Sequence, residues 1–318
     1  MICSSILPVT FGLVTIIAVY AQNPRNAEQF NDRGLDRQSK GDLDGAIEDF
    51  TKAIAISSSA PLRAAAYNNR ASSLIIKGNL DGAIADYTKA MEIEPKDFGN
   101  YYNRGVALMS KEDYRSAIGD FSKALELQPG IAIVLNNRAN AKRAIGDAAG
   151  ALNDYTEAIN AKADYAEAYY NRGAILQAEH DIDAAIRDYT SAIKFNEKFA
   201  DAYSNRGGAL QAKGDFTGAI ADYSKSIELN PNDAGTFYAR ATARQAKRDF
   251  DGAIADYSKT IELNPNSAEA YANRAVVEAE QGKNTAALQD FDKAFQLDAS
   301  LRKVHREYIE KKLHHKVP

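Results

Sequence analysis

Tyr67-Asn68-Asn69-Arg70-Ala71 returns along the chain as Tyr101-Tyr102-Asn103-Arg104-Gly105, Leu135-Asn136-Asn137-Arg138-Ala139, Tyr169-Tyr170-Asn171-Arg172-Gly173, Tyr203-Ser204-Asn205-Arg206-Gly207, Phe237-Tyr238-Ala239-Arg240-Ala241 and Tyr271-Ala272-Asn273-Arg274-Ala275, each 34 residues after the one before. An eighth copy, Phe30-Asn31-Asp32-Arg33-Gly34, stands 37 residues ahead of the first of these, so three extra residues, about Pro61 to Arg63, lie between the first two repeats. A fixed period of this length is the signature of a stacked array, in which each unit buries its apolar face only against its neighbours.

With the Gly or Ala of the motif as position 8, the repeats begin at Ala27, Ala64, Phe98, Ala132, Ala166, Ala200, Ala234 and Ala268. Position 4 is aromatic in seven of them and Leu135 in the other, position 20 is Ala in all eight, and position 24 is Phe or Tyr in all eight. Positions 4, 8 and 11 share one helical face, as do 17, 20, 24 and 27, which predicts two packed helices per repeat. Position 15 is Gly41, Gly78, Gly146, Gly214 or Gly282 in five repeats, a left-handed stop for the first helix. Asp42, Asn79, Asp113, Asp147, Asp181, Asp215 and Asp249 follow as N-caps of the second helix, and Pro95, Pro129, Pro231 and Pro265 mark the turn into the next repeat.

These positions resemble the tetratricopeptide repeat: an aromatic, a small residue four on, an alanine with an aromatic four beyond it, then proline. The resemblance covers residues 27–301. It implies an all-α fold, a right-handed superhelical solenoid whose first helices line a concave groove, with a protein or peptide as the usual ligand and no catalysis. Two departures stand out: tryptophan is absent, and position 7, usually Leu in the family, is Arg in every copy. The expected organisation is one elongated domain: a signal peptide over 1–21, a short linker over 22–26, eight repeats over 27–301, and a capping helix with a basic tail over 302–318. Within Leu301 to Leu313 the spacing of Val304, Tyr308 and Ile309 predicts that cap.

Two sets of polar residues recur with the period. Arg70, Arg104, Arg138, Arg172 and Arg206, with Arg33, Arg240 and Arg274, hold position 7; Asp86, Asp120, Asp154, Asp188 and Asp222, with Asp49, Asp256 and Asp290, hold position 23. Both positions border the buried stripe, which points to structural ion pairs between helices, in the same repeat or in adjacent ones. Position 6 is Asn69, Asn103, Asn137, Asn171, Asn205 and Asn273 in six repeats, and it faces away from the helix-pair core, together with positions 2, 9 and 13. A carboxamide both donates and accepts, as an extended peptide backbone requires, so these residues form a candidate peptide-binding ladder. Its flanks are Gln177, Gln211 and Gln245, with Gln38, at position 12, and Asn140 and Arg143 in the fourth repeat. The alternative is that the amides solvate the inner surface or bond between adjacent helices.

Glu28, Glu167, Asp201 and Glu269 at position 2 favour a neutral to mildly basic ligand, Arg143 being an exception. The carboxylate clamp by which some family members hold chaperone tails is missing, since only Asn140 followed by Asn171 fits it. Net charge of −4, pI near 5.7 and interspersed charge argue against nucleic acid. No cofactor and no metal site are expected: His180 suits a left-handed turn at position 15, and His305, His314 and His315 lack converging ligands. Residues 1–21 carry no charged side chain, and the apolar run from Ile6 to Ala18 followed by Val19-Tyr20-Ala21 reads as an export signal, which would take the single cysteine, Cys3, with it. A retained anchor over residues 6–21, or a misassigned start, stays open. The expected protein is an exported interaction scaffold, with a structural subunit of a cell-envelope assembly as the second reading.

Overall fold

The computed structural model describes residues 24–314. Among them the chain forms seventeen α-helices and no strand. It divides into two compact units, one ending at Ala161 and the other beginning at Lys162. The first unit holds four helix pairs: α1 (Ala27–Ser39) with α2 (Leu43–Ile56), α3 (Ala60–Ile76) with α4 (Leu80–Ile93), α5 (Phe98–Ser110) with α6 (Tyr114–Leu127), and α7 (Ala132–Ala144) with α8 (Ala148–Ala161). The second unit holds four more and one single helix: α9 (Ala166–Ala178) with α10 (Ile182–Phe195), α11 (Ala200–Ala212) with α12 (Phe216–Leu229), α13 (Ala234–Ala246) with α14 (Phe250–Leu263), α15 (Ala268–Glu280) with α16 (Asn284–Leu297), then α17 (Leu301–Lys312). The expected signal and its cleavage point lie outside the described residues.

Each pair closes where position 8 of its first helix meets the aromatic ring at position 24 of its second. A Cβ on Gly105 would stand 2.7 Å from the Phe121 ring, and one on Gly34 would stand 2.5 Å from Phe50. Such contacts exclude a larger residue and set how closely the helices approach. The rings are the deepest large side chains: Phe50, Phe121, Tyr155, Tyr189, Tyr257 and Phe291 are fully buried.

The turns between paired helices follow the sequence. The five glycines at position 15 have φ between 76° and 83°, and Glu112, His180 and Arg248, which stand there in the other repeats, are held at φ 62°, 66° and 63°. Asp42, Asn79, Asp113, Asp147, Asp181, Asp215 and Asp249 each cap the second helix by accepting the backbone N–H three residues on. The three extra residues form no loop. They lengthen α3 by one turn, with Pro61 in its first turn, where a missing N–H costs nothing, and Ser59 as cap.

Helix α17 continues the phase of the array as the first half of a ninth repeat. Ile309 lies 34 residues after Ala275, and His305 lies 34 after Tyr271. Ile309 and Leu313 are buried against Ala275, Phe291 and Phe295, whereas Val304 is 69% exposed and contributes nothing to the cap. Among the described residues no second helix follows α17, so position 8 there can carry isoleucine in place of Gly or Ala.

Candidate functional site

The position 7 arginines meet the position 23 aspartates inside one repeat, sixteen residues on. Nε and Nη2 of Arg70, Arg104, Arg138, Arg172, Arg206 and Arg240 donate to the two carboxylate oxygens of Asp86, Asp120, Asp154, Asp188, Asp222 and Asp256 at 2.7–2.8 Å. Arg33 with Asp49 and Arg274 with Asp290 repeat the same fork. The carboxylates are buried. The bond to Asp86 holds the Arg70 guanidinium above its ordinary range despite burial. Six of the arginines also lie over the position 4 ring of their own repeat, as Arg206 over Tyr203 at 5.7 Å. Two parallel N–H bonds plus stacking suit a planar guanidinium and not an ammonium, which accounts for Arg in every copy.

The remaining guanidinium nitrogen joins repeats. Nη1 of Arg70, Arg104, Arg138, Arg206, Arg240 and Arg274 donates at 2.9–3.2 Å to Thr51, Thr88, Ser122, Thr190, Ser224 and Ser258, at position 25 of the repeat before. This hydroxyl row has a sequence signal of its own, Ser or Thr at position 25 in seven of the eight repeats, but nothing in that spacing shows that it meets the arginines. Three repeats add a second cation at position 11, where Arg37, Lys142 and Arg244 reach Asp49, Asp154 and Asp256 at 2.8–3.0 Å. In the last repeat that place is taken by Glu278. Burial and the neighbouring Asp290 raise its carboxyl above the ordinary range, with Arg274 and Lys283 opposing, and its Oε2 is buried without a hydrogen-bond partner among the described residues.

The asparagines of position 6 are half-buried on the inner face of the first helices. Their amide nitrogens reach back one repeat: Asn137 to the Tyr102 hydroxyl at 3.4 Å, Asn205 to Tyr170 at 3.1 Å, Asn273 to Tyr238 at 2.7 Å, and Asn69 to Asn31 Oδ1 at 3.0 Å. Among the described residues no protein group bonds the Oδ1 of Asn137, Asn205 or Asn273, and Asn103 makes no side-chain hydrogen bond. Asn171 is also engaged. Asn137, Asn205 and Asn273 therefore tie neighbouring first helices together through nitrogen and keep an oriented carbonyl on the inner face.

The glutamines of position 12 have a different partner. Gln177, Gln211 and Gln245 accept the buried hydroxyls of Tyr189, Tyr223 and Tyr257 at 2.8, 3.2 and 2.8 Å. In the fourth repeat Tyr155 donates instead to Asn140, at position 9, and in the second Tyr87 lies 3.3 Å from Ser72, also at position 9. Burial pushes the Tyr155 and Tyr223 hydroxyls up to about 12, so they stay protonated donors. The third and eighth repeats, which have Val and Met or Val and Ala at these two positions, carry Phe121 and Phe291. A buried hydroxyl needs a partner, and that pairing was legible in the sequence. Arg143, at position 12 of the fourth repeat, cannot accept a hydroxyl, so Asn140 does, and Arg143 is exposed and makes no ion pair among the described residues.

Charge differs between the faces. On the outer face of the second helices Lys89 pairs with Glu92, Lys123 with Glu126, Lys225 with Glu228 and Lys259 with Glu262, at 2.6–2.8 Å. On the inner face Glu28, Glu167, Asp201 and Glu269 are exposed and make no ion pair among the described residues. Among those residues no group of three metal-ligating side chains converges, and no helix is long and apolar enough to cross a membrane. The His305 ring packs tilted against Phe291, with centroids 5.3 Å apart, and burial holds the imidazole below its ordinary range.

Family models described as tetratricopeptide repeat match residues 71–112, 101–130, 166–199, 200–233 and 238–300. No curated protein matches the chain. Among solved structures, a tetratricopeptide repeat protein from Parabacteroides merdae is 19% identical, with 79% of this chain and 98% of that one covered, at a TM-score of 0.59. YrrB, described as a TPR protein with an unusual peptide-binding site, is 23% identical over 59% of this chain and 97% of its own, at a TM-score of 0.55. The C-terminal part of a repeat protein from Cytophaga hutchinsonii is 22% identical over 66% and 84%, also at 0.55. At these identities the likeness is one of fold. No catalytic family is indicated, and the fold is typical of non-catalytic interaction scaffolds. Eight in-phase helix pairs, each closed by a small residue against an aromatic ring, and the matching models place the chain in the tetratricopeptide repeat family.

Proposed function

We propose that the protein is a non-catalytic scaffold whose inner faces bind an extended peptide segment of a partner through the position 6 asparagines. The observation that carries this reading is the Oδ1 of Asn137, Asn205 and Asn273, unbonded among the described residues, each held in place by a bond from its own amide nitrogen to the preceding repeat. A carbonyl oriented in advance accepts a peptide N–H without the entropy of ordering a free side chain. The outer face supports the same reading, because its lysines and glutamates already neutralise one another. The acids Glu167, Asp201 and Glu269, which make no ion pair among the described residues, favour a neutral to mildly basic segment against the second unit. YrrB offers a precedent for peptide binding on this fold.

The test is a random dodecapeptide display library panned against the full chain, with selected peptides then measured against a variant carrying Ala at 103, 137, 171 and 205. Each lost bond costs about 0.5–1.5 kcal/mol. If the four act independently the total is about 2–6 kcal/mol, and binding weakens at least about tenfold. Unchanged affinity in a folded variant would leave the outer surfaces and array ends as the place of interaction. We further propose that the protein is exported with removal of residues 1–21; a mature chain that still begins at Met1 or Ile2, by mass spectrometry of the natively produced protein, would overturn the cleavage and point to a retained anchor or a cytoplasmic protein.

A further inference from the structure

The fourth repeat breaks the chemistry of the inner face in two places on one helix. Position 2, which is acidic in four repeats and Ala or Gly in three, is Ile133 there, and its side chain is 49% exposed. Position 12, a tyrosine acceptor in the fifth to seventh repeats, is Arg143, which is exposed and makes no ion pair among the described residues, while Tyr155 donates to Asn140 at 2.5 Å. The adjacent helix α5 adds Val106 and Met109, half-buried over the Phe121 cluster. No acidic side chain stands at the inner positions of α5 or α7. Among the described residues this stretch is thus aliphatic with a single cation, Arg143, outside an ion pair, the reverse of the acidic positions in the second unit.

We propose that the inner face of α7 takes an extended partner segment carrying an aliphatic side chain at Ile133 and a carboxylate at Arg143. Ten residues of helix separate the two, about 15 Å along the axis. An extended strand covers that in about four to five residues. The inference rests on the peptide-binding reading of the inner face and adds to it the class of ligand. It commits the first unit to an acidic, aliphatic segment.

The experiment uses the full chain with labelled isoleucine methyl groups and three synthetic probes: acetyl-Leu-Ser-Ser-Ser-Asp-amide and the same peptide ending in Asn or Lys. Ile133→Val assigns the Ile133 methyl signal. The Asp peptide should shift that signal and bind about tenfold more tightly than the Lys peptide, the scale of one charge-assisted hydrogen bond. Arg143→Glu, at an exposed side chain, should invert the order. Equal affinity for the three probes, or shifts that spare Ile133, would overturn the ligand class and leave peptide binding standing. No binding by any probe would likewise overturn this ligand class, whereas peptide binding itself stands or falls on the library selection.

Discussion

Replacing Arg206 with Leu removes one half of a nearly buried pair, and the structure sets what that should cost. The Arg206 and Asp222 side chains are 20% and 10% exposed, with Nε and Nη2 each 2.7 Å from a carboxylate oxygen. The substitution also cuts the 3.1 Å bond from Nη1 to Thr190 and takes the guanidinium off the Tyr203 ring. Truncating one partner of a buried pair costs about 3–5 kcal/mol, because the other charge is left desolvated and alone. The residual exposure of the arginine places the expected loss near the lower end, about 3 kcal/mol. Arg206→Leu with Asp222→Leu should cost less than Arg206→Leu alone, since no orphan charge remains. Repeat arrays lose cooperativity, so amide hydrogen exchange resolved to α11 and α12 is the assay, with urea unfolding of the whole chain as a second measure. A loss under about 1 kcal/mol for the single variant, or strict additivity in the double, would refute the claim that the fork is a buried structural pair.

Glu278→Leu supplies the residue that Leu74, Leu108, Leu176 and Leu210 provide at position 11, and should stabilise the eighth repeat by about 1 kcal/mol at neutral pH. Because the folded protein raises this carboxyl above its ordinary value of 4.5, the folded state holds the proton more tightly. The wild type therefore gains stability from this group as pH falls through the raised value, and the advantage of the Leu variant should narrow; melts across that range that keep the gap constant count against it. Glu112→Gly relieves a left-handed residue at φ 62° and should raise stability by about 1 kcal/mol by urea unfolding, whereas a loss would mean the glutamate side chain has a role of its own. Deleting residues 302–318 uncovers Phe291 and Phe295 and should lower the melting temperature and promote aggregation; an unaltered melt would show that α17 caps nothing.

The period and residue types were enough to place the helices, because stacking neighbours of equal length forces the same residue types onto the same faces. Gly or Ala at position 8, the aromatic at 24, the left-handed turn at 15 and the Asp cap at 16 are local or intra-repeat constraints, and such constraints are written in spacing. The partner chemistry between repeats was not legible in that way. Whether Arg206 meets an aspartate of its own repeat or of the next, whether Asn205 reaches a tyrosine, and whether α3 lengthens or a loop bulges all depend on the offset between adjacent first helices. That offset follows from how rings, alanines and glycines pack in three dimensions. It sets the 35-residue step from Tyr170 to Asn205 and from Tyr238 to Asn273, and with it which amide oxygens stay free. Tertiary packing alone also divided the repeats into two compact units at Ala161, a point where the 34-residue spacing runs on without a break.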